Sequence, residues 1–143
     1  MTRARQFLRY WLPALAWAAV LLALAGDSAS GSNTETLIEL VLKPIFGEMR
    51  FQTIFILNYT SRKTAHIGAY GLLAILNFRA IRGERSGWNL RWSIQAVLFA
   101  LAVAVADECR QSFSGSRSGS AVDVLFDLWG AAVSQFFVRG RRG

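Results

Sequence analysis

Four mostly apolar stretches divide the chain, at residues 10–25, 64–81, 88–106 and 121–138. The first contains no charged residue and follows a basic amino terminus, and the third is almost entirely Ala, Val, Leu, Phe and Ile after its early arginine. A membrane-spanning helix needs roughly 20 predominantly apolar residues. The pattern therefore predicts four transmembrane helices.

The first stretch has two interpretations. A basic start, an apolar centre and the small-residue triplet Ala23-Leu24-Ala25 are also typical of a cleaved signal peptide. We favour a retained first span, because Pro13 lies near the start of the predicted helix, where proline is tolerated.

Between the first and second stretches the chain predicts an amphipathic helix. Ser32-Asn33-Thr34-Glu35 matches a capping box, and Leu37 and Val41 repeat at helical spacing with Glu39 on another stripe. Such a helix lies in the membrane interface. The following segment, 51–59, is apolar but too short to span, so it is either a re-entrant or interfacial segment or a loop that covers the bundle.

Composition agrees with an all-α integral membrane protein of one domain, residues 1–143. The hydrophobic fraction is 53%, the charged fraction 17% and the mean hydropathy +0.32, which is typical of membrane proteins rather than of soluble domains. A chain of 143 residues suits one compact unit. The single Cys109 excludes a disulfide within the chain and a cysteine-based zinc cluster.

The net charge of +7 raises the question of nucleic acid, and the distribution of the charge argues against it. Most of the basic residues flank apolar stretches, whereas a nucleic-acid surface would not be divided by such stretches. Ten of the 16 lysines and arginines do so: Arg3, Arg5, Arg9, Arg79, Arg82, Arg85, Arg91, Arg139, Arg141 and Arg142.

Arginine-rich short loops are held on the cytoplasmic side of a membrane. If both termini and the polar turn at 82–91 are cytoplasmic, all ten flanking arginines lie on that side, and eight of the nine acidic residues, all but Glu84, lie at or near the outer face. We therefore predict a multi-pass protein of the cell membrane with both termini in the cytoplasm.

This topology brings together polar residues that are far apart in the sequence. Lys63, His66 and Tyr70 are spaced by three and four residues, so they share one face of a helix. Carboxylates at the edge of lipid cost several kcal/mol unless they are paired or hydrated. We therefore expect the face to meet a water-filled cleft formed with the residues that end the third span and begin the fourth: Asp107, Glu108, Gln111, Asp123 and Asp127.

Each of these residues taken alone also has a simple structural explanation. Lys63 suits a snorkelling anchor, Asp123 suits a charge at a helix amino terminus, and His66 suits a hydrogen-bonded interface histidine. Asp127, a full turn deeper than Asp123, is the hardest to explain in this way. The convergence of the whole set on one face favours a functional site.

The order and spacing of these residues resemble the VanZ-like family. The resemblance rests on Lys63-x-x-His66-x-x-x-Tyr70, Asp107-Glu108-x-x-Gln111, Arg117 and Asp123-x-x-x-Asp127-x-x-Gly130, and covers roughly residues 60–133. The chain departs from the family pattern at Asp127, where the family often has asparagine. The family is named for a membrane protein associated with resistance to the glycopeptide teicoplanin, so the resemblance implies a role in such resistance or in the handling of cell-envelope lipids.

Two classes of function follow. In the first, a binding protein holds an amphiphile with an anionic head, either a lipid phosphate or a lipid-tailed glycopeptide, with Arg117 as a bidentate donor and Lys63 as a point charge. In the second, a membrane enzyme acts on a lipid-linked substrate, with His66 and Glu108 as an acid/base pair and Asp123 orienting His66.

A variant of the enzyme hypothesis places Mg²⁺ or Mn²⁺ among His66, Asp107, Glu108 and Asp123, since one histidine with three carboxylates suits these ions better than zinc. A transporter is disfavoured, because four short spans without an internal repeat leave little for alternating access. No particular cofactor or oligomeric state follows from the pattern.

Overall fold

The computed structural model describes residues 3–24, 36, 40–41, 43–45, 47, 51–112 and 121–140. The regular structure in these residues is α-helical, and four long helices dominate it: α1 (Arg3–Leu24), α2 (Phe51–Arg82), α3 (Leu90–Ser112) and α4 (Ala121–Gly140). The predicted all-α class is therefore confirmed.

Three of the helices are long and apolar enough to cross a membrane: Ala4–Leu24, Leu90–Arg110 and Ala121–Gly140. Helix α2 has 32 residues, and therefore a length of about 48 Å. It is not among the three apolar helices, since polar residues such as His66 and Asn77 interrupt its apolar stretch. The second of the four predicted spans, over residues 64–81, therefore stays a prediction.

Helix α2 begins earlier than the sequence suggested. Residues 51–59 form its first turns and are neither a separate re-entrant segment nor a loop, so those interpretations are wrong. Polar side chains do not break the helix where the second span was expected to begin, because they bond to its own carbonyls: Ser61 Oγ donates to Asn58 O at 3.0 Å and Thr64 Oγ1 to Thr60 O at 2.9 Å.

The predicted interfacial helix falls mostly outside the described residues. Residues 36, 40–41 and 43–45 are helical, and Leu40 and Val41 are exposed. The capping residues Ser32 to Glu35, together with Leu37 and Glu39, lie outside the described part of the chain. The amphipathic arrangement therefore stays a prediction.

Helix α2 packs most extensively against α4, and the two run parallel with their backbones in close contact. A Cβ atom on Gly130 would lie 2.3 Å from the carbonyl oxygen of Ile67, and one on Gly71 would lie 3.2 Å from the carbonyl oxygen of Gly130. Small residues are typical of helix contacts in membranes because they let two backbones approach. Gly130 thus fixes the distance between α2 and α4.

The core of the bundle is built from small side chains around Tyr70 and Leu73, with alanines from all four helices: Ala18, Ala74, Ala100, Ala104 and Ala131. Helix α1 joins the bundle through the Trp17 indole, whose Nε1 donates to Ala69 O at 3.0 Å. Further along the same helix, Arg110 Nη1 donates to Leu22 O at 2.7 Å, which satisfies a carbonyl in the last turn of α1.

A tight polar turn links α2 to α3, as predicted. Gly83 has a φ of 59° and its amide donates to Arg79 O at 3.0 Å, which is a left-handed cap of the helix end. Asn89 Oδ1 accepts from the amide of Arg91 at 2.8 Å and so caps the start of α3.

The helix directions give the bundle two chemically different ends. Arg9 and Arg79, on α1 and α2, both lie over the Tyr10 ring, and Arg139 of α4 lies over the Trp88 ring beside the start of α3. We call this the arginine end; its described arginines are Arg5, Arg9, Arg79, Arg82, Arg85, Arg91 and Arg139. The acidic residues of α3 and α4 lie at the opposite end.

Candidate functional site

Helices α2, α3 and α4 meet at the end opposite the arginines. Three contacts join α2 to the neighbouring helices. Lys63 Nζ forms an ion pair with Asp123 Oδ1, and His66 Nδ1 lies 3.2 Å from Asp127 Oδ1, within hydrogen-bond distance. Tyr70 OH donates a hydrogen bond to Asp107 Oδ2 at 3.0 Å. We name this group the carboxylate cluster: Lys63, His66, Tyr70, Asp107, Glu108, Asp123 and Asp127.

Helical spacing positions these side chains. Lys63 and His66 are three residues apart on α2, and Asp123 and Asp127 are four apart on α4, so each pair lies on one face. Because α2 and α4 run parallel, their contacts recur at an almost constant offset, Lys63 to Asp123, then His66 to Asp127, then Gly71 to Gly130. The close contact at Gly130 therefore sets which carboxylate meets which cation.

The cluster has a partly exposed rim, formed by Lys63, His66 and Asp123, and a buried floor, formed by Asp107, Glu108 and Asp127. The side chains of Lys63 and Asp123 are 18% and 26% exposed, and that of His66 is 28% exposed. Asp107, Glu108 and Asp127 are buried. The Lys63 and Asp123 pair and the His66 ring are therefore the parts of the cluster that a ligand can reach.

Aromatic rings surround the rim. The Lys63 ammonium lies 5.2 Å from the Tyr59 ring centroid and 5.5 Å from the Phe126 ring centroid, within the range of cation–π attraction. Partial burial lowers the pKa of Lys63, one residue before the predicted span, from its ordinary value, and the carboxylates of Glu108 and Asp127 oppose this change. The His66 and Tyr70 rings stack deeper in the cluster, with centroids 6.1 Å apart.

Asp127 forms the floor of the cluster. One carboxylate oxygen faces His66, and the other, Oδ2, is buried with no hydrogen-bond partner among the described residues. A buried acceptor of this kind is costly unless a donor reaches it. Asp127 is therefore the position where a donor from a bound head group would gain most.

The structure brings most of the predicted site residues together. Lys63, His66, Tyr70 and the four carboxylates of the cluster meet at one end. Gln111 belongs to α3, but its side chain lies outside the described residues, as does Arg117 in the segment 113–120. Their places in the site stay predictions.

The pairing within the cluster differs from the one suggested by the sequence. The carboxylate within hydrogen-bond distance of His66 is Asp127, and Asp123, which we expected to orient His66, contacts Lys63 instead. The parallel offset of α2 and α4 is the physical reason. The acid/base pairing of His66 with Glu108 stays a prediction.

Sequence reasoning missed two rim residues, Tyr59 and Phe126. Tyr59 precedes Lys63 by one helical turn, so the spacing could have placed it beside the cation once α2 was known to extend that far. Phe126 lies inside an apolar stretch, where a side chain facing the site cannot be told from one facing lipid.

The described residues do not form the magnesium or manganese site that the weaker variant of the enzyme hypothesis would require. Within them, no group of three or more His, Cys, Asp or Glu side chains is arranged to hold a metal ion. Asp123 is directed to Lys63, and Tyr70 occupies one oxygen of Asp107.

Comparison with curated proteins and with solved structures finds no match for this chain. Comparison with family models finds VanZ/LLP1, matched over residues 10–141. The match extends well beyond the cluster: it includes the apolar helices Leu90–Arg110 and Ala121–Gly140 completely and the first apolar helix from residue 10 onward. Nearly the whole chain follows the family pattern, and the protein therefore belongs to the VanZ/LLP1 family.

Proposed function

We propose that this VanZ/LLP1 family protein lies in the cell membrane with its arginine end and both termini in the cytoplasm, and that the carboxylate cluster opens on the outer side. The asymmetry of the arginines supports this orientation. The cluster then binds the head of an anionic amphiphile that reaches it from the outer leaflet or from outside the cell.

The geometry of the rim is the observation that carries the proposal. Lys63 is a partly exposed cation near the Tyr59 and Phe126 rings, and its partner Asp123 is also partly exposed. A phosphate or carboxylate of a ligand competes with Asp123 for the ammonium, while the rings pack against the first carbons of the tail. Arg117, which precedes α4, adds a planar bidentate donor.

The buried floor sets the depth and chemistry of the head group. Asp107, Glu108 and Asp127 repel an anion and accept hydrogen bonds from hydroxyl or amide groups. The ligand class that satisfies both layers has an anionic group beside hydroxyl or amide groups, on a lipid tail. Cell-envelope lipid phosphates and lipid-tailed glycopeptides such as teicoplanin both belong to it, which accords with a role in glycopeptide resistance or envelope lipid handling.

Binding is measured by titrating the full-length protein in phosphatidylcholine nanodiscs with lysophosphatidic acid, using calorimetry and subtracting empty nanodiscs. We expect Lys63→Gln and Arg117→Gln each to weaken binding about tenfold, since a hydrogen bond to a charged group contributes about 1.5–3 kcal/mol. Arg91→Gln, which removes an exposed charge at the other end, is the matched control.

Arg117→Lys separates charge from shape in the same titration. It keeps the positive charge but loses the planar fork, so we expect weakened binding. Equal binding of lysophosphatidylcholine with the same chain, or an equal loss in Arg91→Gln, would contradict an anion site at the rim.

A membrane enzyme is the second candidate, and the contact between His66 and Asp127 favours it. A buried carboxylate on Nδ1 fixes the orientation of the imidazole, so that Nε2 is left to exchange a proton with a lipid-linked substrate. In this scheme His66 is the general base, Asp127 orients it, and Glu108 and Asp123 take up the remaining acid and binding roles.

Mass spectrometry of the lysophosphatidic acid recovered from the titration distinguishes the two candidates. An unchanged mass with wild-type protein supports binding alone for this probe. A new product that disappears in His66→Gln, with binding retained, would replace the binding proposal by the enzymatic one.

A further inference from the structure

A mainly apolar groove lies at the arginine end, between α3 and α4. The groove has a volume of about 390 Å³ and is lined by residues of α3, α4 and the turn before α3. We name it the α3–α4 groove and define it by six of its lining residues: Trp88, Ser93, Val97, Ala132, Gln135 and Arg139. It is separate from the carboxylate cluster, which lies at the opposite end of the same helices.

The walls of the groove suit a hydrocarbon chain. Its lining includes Leu98 and Phe136, which are 56% and 71% exposed. Both helices that form it are apolar enough to cross a membrane, so in a bilayer the groove opens toward lipid. Its volume lies within the roughly 300–1,000 Å³ of typical ligand pockets.

Two buried polar side chains make the groove more than an apolar surface. Ser93 is 4% exposed and Gln135 is 8% exposed, yet Ser93 Oγ and Gln135 Oε1 have no hydrogen-bond partner among the described residues. Gln135 Nε2 donates to Ser134 Oγ at 3.2 Å, which leaves Oε1 as the open acceptor. In lipid no water is at hand to satisfy these atoms, so a polar group of a ligand that reaches them would remove an energetic cost.

A positive charge at the mouth of the groove indicates a ligand with an anionic head group. Arg139 lies with its guanidinium 5.1 Å from the Trp88 ring centroid, and Trp88 Nε1 is a buried donor with no partner among the described residues. The lining of the groove contains no Asp or Glu. Two donors and an uncompensated positive charge at the end of an apolar groove complement a phosphate.

We infer that the α3–α4 groove binds an anionic glycerophospholipid of the membrane. One acyl chain lies along Val97, Leu98 and Ala132, and the phosphate accepts from Arg139 and the Trp88 indole. The backbone glycerol lies near Ser93, whose hydroxyl donates to an ester oxygen. The head group folds back from the phosphate toward Gln135, and one of its hydroxyls donates to Gln135 Oε1. Phosphatidylglycerol offers all of these groups, whereas phosphatidylcholine has no such hydroxyl and carries no net charge.

Native mass spectrometry of the full-length protein in detergent, titrated with phosphatidylglycerol and with phosphatidylcholine of the same chains, tests the site. We expect at least one phosphatidylglycerol to remain bound at concentrations where phosphatidylcholine does not. Arg139→Gln should weaken retention about tenfold, since it removes a charge-assisted contact. Arg91→Gln removes an exposed arginine outside the groove at the same end and should leave retention within about twofold.

Ala132→Phe fills the groove, so it should abolish retention of the lipid, and Ala102→Phe on an exposed part of α3 is its control. Gln135→Leu removes the open acceptor and should reduce the preference for phosphatidylglycerol. Arg139 is exposed, so its variant tests the site even if a core-facing variant fails to fold.

Equal retention of the two lipids, unchanged binding in Ala132→Phe, or an equal loss in Arg91→Gln would each overturn the inference. A dimer that Ala132→Phe dissociates and that excludes lipid would overturn it in favour of a second copy in the groove.

Discussion

The two ends of the bundle stabilise their charged side chains in different ways. At the carboxylate cluster, charged and polar side chains of different helices contact one another, and three of the carboxylates are buried. At the arginine end, exposed arginines lie over aromatic rings, as Arg85 does over Trp92 at 4.4 Å, or bond to nearby carbonyls.

The positions of the helices matter more at the carboxylate cluster than at the arginine end. A carboxylate at the cluster needs one particular partner on another helix, because burial makes an unpaired charge costly. An arginine on an aromatic face needs only a ring within reach and keeps its contact with water. The cluster should therefore be sensitive to small changes of geometry, whereas the arginine end should tolerate them.

The largest expected contrast is in accessibility from outside the cell. Native Cys109 is exposed and lies next to the cluster residue Glu108, whereas Ser86 is exposed in the turn at the arginine end. With a membrane-impermeant thiol reagent on intact cells, we expect labelling of Cys109 in the wild type and no labelling of Ser86→Cys in a Cys109→Ala background. Both should react after permeabilisation, and labelling of Ser86→Cys from outside would reverse the proposed orientation.

The next largest effect should come from the contact that sets the register of the cluster. Gly130→Ala places a Cβ 2.3 Å from Ile67 O, so the α2 and α4 backbones must separate. Overpacking of this kind costs about 1–3 kcal/mol. We expect a lower thermal midpoint by circular dichroism in detergent, together with loss of lysophosphatidic acid binding, because the Lys63 and His66 contacts depend on the same distance.

Gly68→Ala is the matched control for Gly130→Ala. Gly68 lies on α2 next to Ile67, the residue that Gly130 contacts, and a Cβ on Gly68 has nothing within 4 Å. Alanine is a better helix former than glycine by about 0.5–1 kcal/mol, so Gly68→Ala should raise the midpoint slightly. An equal loss in both variants would show that the helix contact at Gly130 does not control the cluster.

A tyrosine at each end compares the two environments directly. Tyr70 is buried and donates to Asp107, whereas Tyr10 is only partly buried and has the guanidinium groups of Arg9 and Arg79 within 6 Å of its ring centroid. Tyr70→Phe withdraws a donor from a buried carboxylate and should lower the free energy of unfolding by about 1–3 kcal/mol. Tyr10→Phe should change it by less than about 0.5 kcal/mol. Similar losses in chemical denaturation of the two variants would contradict the comparison.

A feature could be predicted from the sequence when it depends on local composition or spacing, and could not when it depends on contacts between helices. The spans in α3 and α4 rest on apolar composition, which the sequence displays, and the shared face of Lys63, His66 and Tyr70 rests on helical spacing. The start of α2 could not be predicted in this way, because an apolar stretch gives the length of a membrane span and not of the helix that contains it, and α2 continues through the polar residues 58–63 to Phe51.

The partner of His66 could not be predicted in the same way. Asp123 and Asp127 share a face of α4, and spacing alone cannot choose between them. The choice depends on the offset between α2 and α4, which the contact of Gly130 with Ile67 fixes. That contact joins residues distant in sequence, so a single sequence gives no sign of it.

The smallest effect should come from removing one arginine at the arginine end. Arg85 lies over the Trp92 ring and donates through Nε to Arg82 O at 2.9 Å, yet it is exposed. An exposed cation–π contact contributes about 0.5–1 kcal/mol, so Arg85→Gln should lower the free energy of unfolding by no more than that in chemical denaturation. Arg85→Lys should lose less still, because the ammonium keeps the attraction to the ring. If Arg85→Gln instead matched the loss in Tyr70→Phe, the arginine end would depend on individual partners as the carboxylate cluster does, and the contrast in tolerance between the two ends would be wrong.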